Sequence, residues 1–133
     1  MEIAGNTKKK ILIVDDEQAI ANSLSWVLEM EGFETSIAYS GEEAVEKALS
    51  FKPEILICDI RMAGISGIEA ATQIRETLPA CHVILISGHV FLPDLAAGGA
   101  GSKPSFDFLS KPVHPRVLIK KLRTLLRATT DPS

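Results

Sequence analysis

The sequence predicts an α/β protein with a doubly wound, five-stranded parallel sheet and helices on both of its faces. Five short strand-like segments, the first of them a run of branched apolar residues, alternate with segments whose apolar residues recur at helical spacing. This alternation is typical of parallel strands joined by right-handed helical crossovers. The 133 residues, 46% of them hydrophobic, suit one compact domain with a single core.

The first half of the chain supplies two predicted strands and two predicted helices. Residues 11–14 and 34–39 form the strands, and residues 41–50 form the second helix. The first helix follows the acids after residue 14 and ends at Gly32, because glycine favours a helix C-terminus. Pro53 prevents the second helix from continuing. The predicted inward faces are Ile20, Leu24, Val27 and Leu28 in the first helix, and Ala44, Val45, Ala48 and Leu49 in the second.

The second half continues the alternation with strands at residues 55–58, 82–86 and 106–109. A helix over residues 66–78 ends before Pro79, and a last helix covers residues 113–128. The predicted inward faces are Ile68, Ala71, Ile74 and Leu78 in the first of these helices, and Leu118, Leu122 and Leu125 in the last.

Residues 88–107, which read GHVFLPDLAAGGAGSKPSFD, interrupt this regular pattern. Each interior glycine costs about 1 kcal/mol relative to alanine in a helix, and an interior proline costs about 3 kcal/mol. We therefore expect a fourth helix that is short or irregular, followed by a mobile loop.

Composition and charge exclude several classes of function. The net charge of −3, with both signs interspersed, gives no drive toward nucleic acid or an anionic membrane. The apolar runs are far shorter than the ~20 residues of a membrane span, so we expect no membrane insertion and a cytoplasmic location. Cys58 and Cys81 lie in or beside apolar runs and are interpreted as small buried hydrophobes. The three histidines show no zinc-ligand spacing.

Polar residues follow four of the five predicted strands. Asp15 and Asp16 follow the first strand, Asp59 the third, Ser87 the fourth and Lys111 the fifth. The carboxyl ends of parallel strands meet at one edge of the sheet, where ligands bind in such folds. We therefore expect these side chains to converge.

Three clustered carboxylates form a hard-oxygen site suited to Mg²⁺. One carboxylate can act as a nucleophile toward a phosphoryl group, while the metal and Lys111 neutralise the phosphoryl oxygens. Ser87 can donate a hydrogen bond to the same group. The alternative, an exposed polar edge with a chance cluster, does not account for four separate segments converging in complementary roles.

At this point the sequence resembles the receiver domain of bacterial two-component response regulators, over about residues 9–128. The resemblance rests on the segments ILIVDDE, ILICDIRM, GISGIE, VILISG and FDFLSKPV. It implies a flavodoxin-like sheet with strand order 2-1-3-4-5. It also implies a phosphoacceptor switch that assists its own phosphorylation and dephosphorylation, rather than a conventional enzyme.

The resemblance assigns roles residue by residue. Asp59 becomes the phosphoacceptor, with a sensor histidine kinase as the phosphodonor, and Lys111 becomes the lysine typical of the family. The implied Mg²⁺ ligands are Asp16 and Asp59 directly, Asp15 through water, and the backbone carbonyl of Arg61. The Lys111–Pro112 bond is expected to be cis.

Further implied roles concern the switch and its lifetime. Ser87 matches the switch hydroxyl, and Phe108 matches the aromatic residue that moves between outward and inward positions. Arg61 and His89 occupy places that tune hydrolysis of the phosphoryl group. One departure from the family pattern is Ala63, where relatives usually have proline, so we expect a less rigid loop.

Several alternatives remain beside this interpretation. A degenerate receiver could act as a phosphorylation-independent interaction module, although retention of the acids, Ser87 and Lys111 argues against it. A haloacid-dehalogenase-type phosphatase requires Asp-x-Asp-x-Thr after the first strand, and DDEQA does not fit. A flavin-binding protein requires a phosphate loop there, and two acids would repel the phosphate.

The expected organisation is a flexible lead-in at residues 1–9, a receiver domain at 10–128 and a tail at 129–133, with no output domain in this chain. The chain could be a stand-alone protein or a fragment of a larger regulator or hybrid kinase. We expect an unidentified downstream protein partner, no direct contact with nucleic acid, and either a monomer or a phosphorylation-dependent dimer.

Overall fold

The computed structural model describes residues 8–88 and 106–130, with side chains described as far as residue 127. Its five strands form one parallel sheet in the order β2-β1-β3-β4-β5, which confirms the predicted fold class and strand order. The strands are β1 (Lys10–Val14), β2 (Glu34–Ala38), β3 (Ile55–Asp59), β4 (His82–Ser87) and β5 (Phe106–Ser110). The described ranges contain four helices, α1 (Gln18–Met30), α2 (Gly41–Phe51), α3 (Gly67–Thr77) and α4 (Pro115–Thr130).

Both faces of the sheet are covered, which explains why the three central strands, β1, β3 and β4, contain unbroken apolar runs. Alternate residues along each strand point to opposite faces. Isoleucines such as Ile13 and Ile57 pack against α1 and α4, with Leu28 and Leu122 buried beside them. The intervening residues, including Leu56, pack against α2 and α3 on the other face. The chain thus forms three layers, with the sheet in the middle.

The helix starts follow from local hydrogen bonds. The Ser66 side chain accepts a hydrogen bond from the backbone of Glu69, and the Glu69 side chain accepts one from Ser66, which forms a capping box at α3. Helix α4 begins at Pro115, two residues later than predicted. Proline suits a first helical position because its missing N–H needs no partner there. The His114 side chain accepts a hydrogen bond from Arg116 N at 3.2 Å.

The prediction that Ile20 and Leu49 face inward is wrong. Ile20 is 38% exposed and Leu49 is 56% exposed, whereas Ala21, Ala44 and Ala48 are buried. In both helices small alanines lie nearest the sheet, so the larger neighbouring side chain is turned toward the helix flank. Helical spacing identifies the buried stripe only to within about one position, because consecutive residues differ by about 100° around the axis.

Other expectations have mixed outcomes. Helix α4 continues to Thr130, two residues beyond the end at residue 128 that was predicted for the last helix. Cys58 and Cys81 are buried free thiols, as expected. The predicted short or irregular fourth helix falls in residues 89–105, outside the described residues. Within the described ranges, the structure contains no helix that is both long and apolar enough to cross a membrane.

Candidate functional site

Three carboxylates meet at the carboxyl edge of the sheet. Asp15 follows β1, and Asp59 ends the adjacent strand β3. Asp15, Asp16 and Asp59 each offer a carboxylate oxygen, and these oxygens lie within 4.8 Å of one another. Asp15 and Asp59 are only 3% and 5% exposed, whereas Asp16 is exposed. The convergence expected from the strand ends is therefore present, with one acid facing the solvent.

The backbone fixes this difference between the two consecutive acids. Asp15 N donates to the carbonyl of Ala38 at 3.2 Å, which extends the pairing of β1 with β2 by one residue. Asp15 Oδ1 then accepts a hydrogen bond from Glu17 N at 2.9 Å, just before α1 begins. Because Asp15 is held inward on both counts, the next side chain, Asp16, points outward.

Asp59 is held by a cation and by a backbone N–H. Lys111 Nζ lies 3.0 Å from Asp59 Oδ2, and Arg61 N donates to Asp59 Oδ1 at 3.4 Å. Lys111 is positioned by its own N–H, which donates to the carbonyl of Ser87 at 2.9 Å. The Lys111–Pro112 bond is cis, in agreement with the sequence resemblance. The Asp59 carboxylate at the end of β3 is thus paired with a lysine that follows β5, and the backbone of that lysine is held by the end of β4.

The loop between β3 and α3 is folded tightly against the backbone of Asp59. Gly67 N donates to the carbonyl of Ile60 at 2.9 Å, which closes the loop at its base. A Cβ atom on Gly67 would lie 2.1 Å from the carbonyl oxygen of Asp59, closer than any real contact. Only glycine fits this position without moving the strand that carries Asp59.

An open cleft of about 390 Å³ leads to Asp59 from the solvent. It is lined by Asp16, Glu17, Asp59, Arg61, Gly88 and Lys111. The lining therefore combines acids with two basic residues, and Lys111 Nζ lies 3.0 Å from Asp59 Oδ2. A small anionic group could therefore contact Lys111 while a cation is bound by the carboxylates.

Burial and neighbouring charge shift two pKa values at the site. Burial raises the pKa of Asp15 above its usual 3.8; the Glu17 N–H acts in the opposite direction and the charge of Asp59 adds to the increase. Burial alone would lower the pKa of Lys111, but its hydrogen bond to Asp59 and the surrounding negative charges raise it above 10.5. Lys111 is therefore a cation at neutral pH, and the ionised form of Asp15 is disfavoured.

Replacing Asp15 with asparagine should raise the melting temperature of the metal-free protein by several degrees at pH 7. Two carboxylates this close repel each other by about 3 kcal/mol at an effective dielectric constant near 20. Asparagine retains the Oδ1 acceptor for Glu17 N. Because the folded-state pKa of Asp15 is raised, the wild-type protein gains stability as the pH falls through that pKa. The difference in melting temperature between Asp15→Asn and wild type should therefore shrink at acidic pH.

Thermal unfolding in a chelator, followed by circular dichroism across acidic and neutral pH, measures this effect. Asp16→Asn is the matched control, because the exposed Asp16 carboxylate is screened by water and its replacement should raise the melting temperature less. A difference between Asp15→Asn and wild type that did not change with pH would contradict the assignment of the effect to Asp15 ionisation.

Four further residues were predicted to belong to the site, either in the switch or in setting the lifetime of the phosphoryl group. Ser87 ends β4 and is 3% exposed. Phe108 lies on β5, opposite Leu85, and packs at the edge of the core that faces α2 and α3. Arg61 is exposed at the cleft. His89 lies outside the described residues, so its predicted tuning role stays a prediction.

The sequence analysis missed two residues near the site. Gly67 lies within GISGIE, a segment used only for the family resemblance, and its close approach to Asp59 had not been predicted. Glu42 of α2 accepts a hydrogen bond from Ile65 N at 3.1 Å, within the β3–α3 loop. Nothing in the spacing of charged residues indicates this contact, because its donor is a backbone group of a distant segment.

The donor set fits a hard divalent cation. Carboxylate oxygens are the ligands that Mg²⁺ prefers, and it usually keeps several waters in its coordination shell. An exposed Asp16 beside the buried Asp15 and Asp59 leaves one side open for such waters. The acidic cluster is therefore consistent with the Mg²⁺ that the resemblance implies.

The sequence matches the family model described as "Response regulator receiver domain" over residues 11–123. The alkaline phosphatase synthesis transcriptional regulatory protein PhoP of Bacillus subtilis is 32% identical over 122 residues, which cover 90% of this chain and 49% of that protein. The response regulator MprA of Mycobacterium tuberculosis is 31% identical over 121 residues, covering 90% of this chain and 51% of MprA. The chain thus spans about half the length of these curated relatives.

Solved structures agree with the fold. A CheY-like response regulator receiver domain protein from Methanospirillum hungatei superposes with a TM-score of 0.82 at 29% identity, covering 92% of this chain and 96% of the other. The chemotaxis protein CheY4 of Vibrio cholerae gives a TM-score of 0.80 at 26% identity, covering 90% of this chain and 99% of the other. Nearly the whole of each matched structure is therefore represented in this chain.

Proposed function

Because this chain belongs to the response regulator receiver domain family, we propose that it is a phosphoacceptor switch of a two-component phosphorelay. Its phosphodonor would be a sensor histidine kinase, and its acceptor would be Asp59. The observation that carries the proposal is the buried Asp59 carboxylate, held 3.0 Å from Lys111 Nζ at the base of an open cleft. The cleft gives a phosphoryl group access to this carboxylate, and Lys111 supplies a positive charge beside it.

In the proposed reaction, an oxygen of Asp59 attacks the phosphorus atom of a phosphohistidine. The bond from phosphorus to the imidazole nitrogen breaks, its electron pair stays on the ring, and the product on Asp59 is an acyl phosphate. Lys111 attracts the phosphoryl oxygens, and Arg61 N orients the carboxylate. Asp16, Asp59 and the carbonyl of Arg61 would bind Mg²⁺ directly and Asp15 would bind it through water, and the bound ion would add positive charge near the phosphoryl oxygens.

The proposed consequence is a change of surface. Ser87, at the end of β4, would donate its hydroxyl hydrogen bond to the new phosphoryl group, and Phe108 on the neighbouring β5 would follow it inward. The surface around β5 would then bind a downstream protein partner. Hydrolysis of the acyl phosphate by water would reset the switch, and Arg61 and His89 would set the lifetime of the phosphorylated form. Because the protein would assist only its own phosphorylation and dephosphorylation, we propose that it is not a conventional enzyme.

Incubation with acetyl phosphate, followed by intact-protein mass spectrometry, tests the proposal. We expect a single phosphoryl adduct that requires Mg²⁺ and disappears in Asp59→Asn, because the amide is a far weaker nucleophile than the carboxylate. Asp107→Asn is the matched control, since Asp107 is a half-buried aspartate that pairs with Lys121 at 3.1 Å, on β5. It should retain the adduct.

Two results would contradict the proposal. One is an adduct that persists in Asp59→Asn. The other is a folded wild-type protein that accepts no phosphoryl group from acetyl phosphate or from a phosphorylated histidine kinase, which would favour a phosphorylation-independent interaction module.

A further inference from the structure

We infer that Glu42 is a positioning residue for the phosphoacceptor site, acting through the β3–α3 loop rather than through contact with the reacting groups. The inference rests on the proposed function of Asp59. It assigns a role to an exposed acid in the first turn of α2, which is otherwise an ordinary surface position.

The Glu42 carboxylate forms a bond between two segments that are far apart in the sequence. Glu42 Oε2 accepts a hydrogen bond from Ile65 N at 3.1 Å. The capping of α2 is carried by other groups, because Ser40 Oγ accepts from Glu43 N and Glu43 Oε1 accepts from Tyr39 N. Glu42 is therefore not required to cap its own helix, and its carboxylate is directed to the loop.

The loop and the start of α2 fit together because each contributes a glycine at the contact. Gly64 has a φ of +83°, and a Cβ atom there would lie 2.6 Å from Glu42 Oε2. Gly41 is packed by Ile65, whose Cγ1 atom would lie 2.6 Å from a Cβ atom on Gly41. Side chains at either glycine would push the loop away from Glu42.

The loop in turn determines how Asp59 is held. Its base is closed by the hydrogen bond from Gly67 N to the carbonyl of Ile60, and its second residue, Arg61, donates N–H to Asp59 Oδ1. The carbonyl of Arg61 is the proposed backbone ligand of Mg²⁺. Release of the loop at Ile65 would therefore loosen both the orientation of Asp59 and one ligand of the cation.

The test compares Glu42→Ala and Glu42→Gln with wild type, and uses Glu46→Ala as the matched control. Glu46 is an exposed glutamate one turn further along α2, so its loss removes the same charge from the same helix. Amide hydrogen exchange of residues 61–66 is measured in metal-free protein, and Mg²⁺ binding is measured by titration calorimetry. These readouts do not depend on phosphorylation.

In Glu42→Ala we expect faster exchange of the Ile65 amide and Mg²⁺ affinity reduced about tenfold, the lower end of the loss usual for groups that support metal ligands. The Mg²⁺ concentration for half-maximal phosphorylation by acetyl phosphate should rise by the same factor, with the rate at saturating Mg²⁺ nearly unchanged. Glu42→Gln retains a carbonyl acceptor and should behave like wild type, as should Glu46→Ala.

Three outcomes would overturn the inference: unchanged exchange and affinity in Glu42→Ala, an equal loss of affinity in Glu46→Ala, or a wild-type protein that binds no Mg²⁺. If the loop is released and Mg²⁺ affinity falls in Glu42→Ala while wild type accepts no phosphoryl group, Glu42 positions the loop and the cation site, but the proposed function fails and the site is not a phosphoacceptor. Measurements on the same set of proteins therefore distinguish failure of the inference from failure of the proposed function.

Discussion

Replacing Gly67 with alanine should lower the free energy of unfolding by about 3 kcal/mol, at the upper end of the usual cost of overpacking. The added Cβ atom would lie 2.1 Å from the carbonyl oxygen of Asp59 and 2.9 Å from Cα of Ile60, both of which are backbone atoms. A backbone cannot move aside as a flexible side chain can. The strand end that carries Asp59 should therefore shift, and Mg²⁺-dependent phosphorylation should be lost with the stability.

Urea unfolding followed by circular dichroism measures the loss, and Gly88→Ala is the control. A Cβ atom at Gly88 would come no closer than 3.7 Å to the side chain of Lys111, an ordinary contact. Gly67 is the first residue of α3, where alanine would otherwise be favoured over glycine by up to about 1 kcal/mol. A stabilised Gly67→Ala protein would therefore mean that the close approach to Asp59 does not exist in solution.

Replacing Lys111 with methionine should lower the free energy of unfolding by about 2 kcal/mol at pH 7 in the absence of metal. Removing one partner of a buried ion pair usually costs about 3–5 kcal/mol, and the smaller value reflects the 29% exposure of Lys111. Methionine preserves much of the apolar stem, so the loss is mainly that of the charge. The pKa of Lys111 is raised, so its contribution is complete at neutral pH and is lost only as the pH rises through that value.

Mg²⁺ should restore much of the stability lost in Lys111→Met, because a divalent cation also reduces the repulsion among the three carboxylates. Melting curves with and without Mg²⁺ measure this difference. Lys121→Met is the matched control: Lys121 pairs with Asp107 at 3.1 Å, but both side chains are about one-third exposed, and such pairs contribute at most about 1 kcal/mol. An equal loss in the two variants would show that Asp59 does not depend on Lys111.

The sequence predicted the centre of the sheet well because the three central strands, β1, β3 and β4, are buried on both faces. A run such as residues 11–14, with four adjacent branched apolar residues, is unfavourable on a half-exposed strand but natural inside three layers. The errors at Ile20 and Leu49 arose because helical spacing alone does not reveal that small alanines lie nearest the sheet. The strand order came from the family resemblance, since alternation alone leaves several orders open.

At the site, the acids and Lys111 could be predicted because the carboxyl ends of parallel strands converge whatever the details of packing. The burial of Asp15 and the exposure of Asp16 could not be predicted, because they depend on hydrogen bonds to Ala38 and Glu17. Glu42 was missed for a related reason. Its partner is a backbone N–H, and every residue other than proline has one, so no residue type identifies the contact.

The contact between Lys111 and Asp59 joins positions 52 residues apart in the sequence. The acids are brought together by β1 and β3, whereas the cation that balances them follows β5, the last strand of the sheet. During synthesis on the ribosome, which proceeds from the amino terminus, the cluster of negative charge is therefore translated well before Lys111. A nascent chain that ended before β5 would carry the acids of the site without their counter-charge.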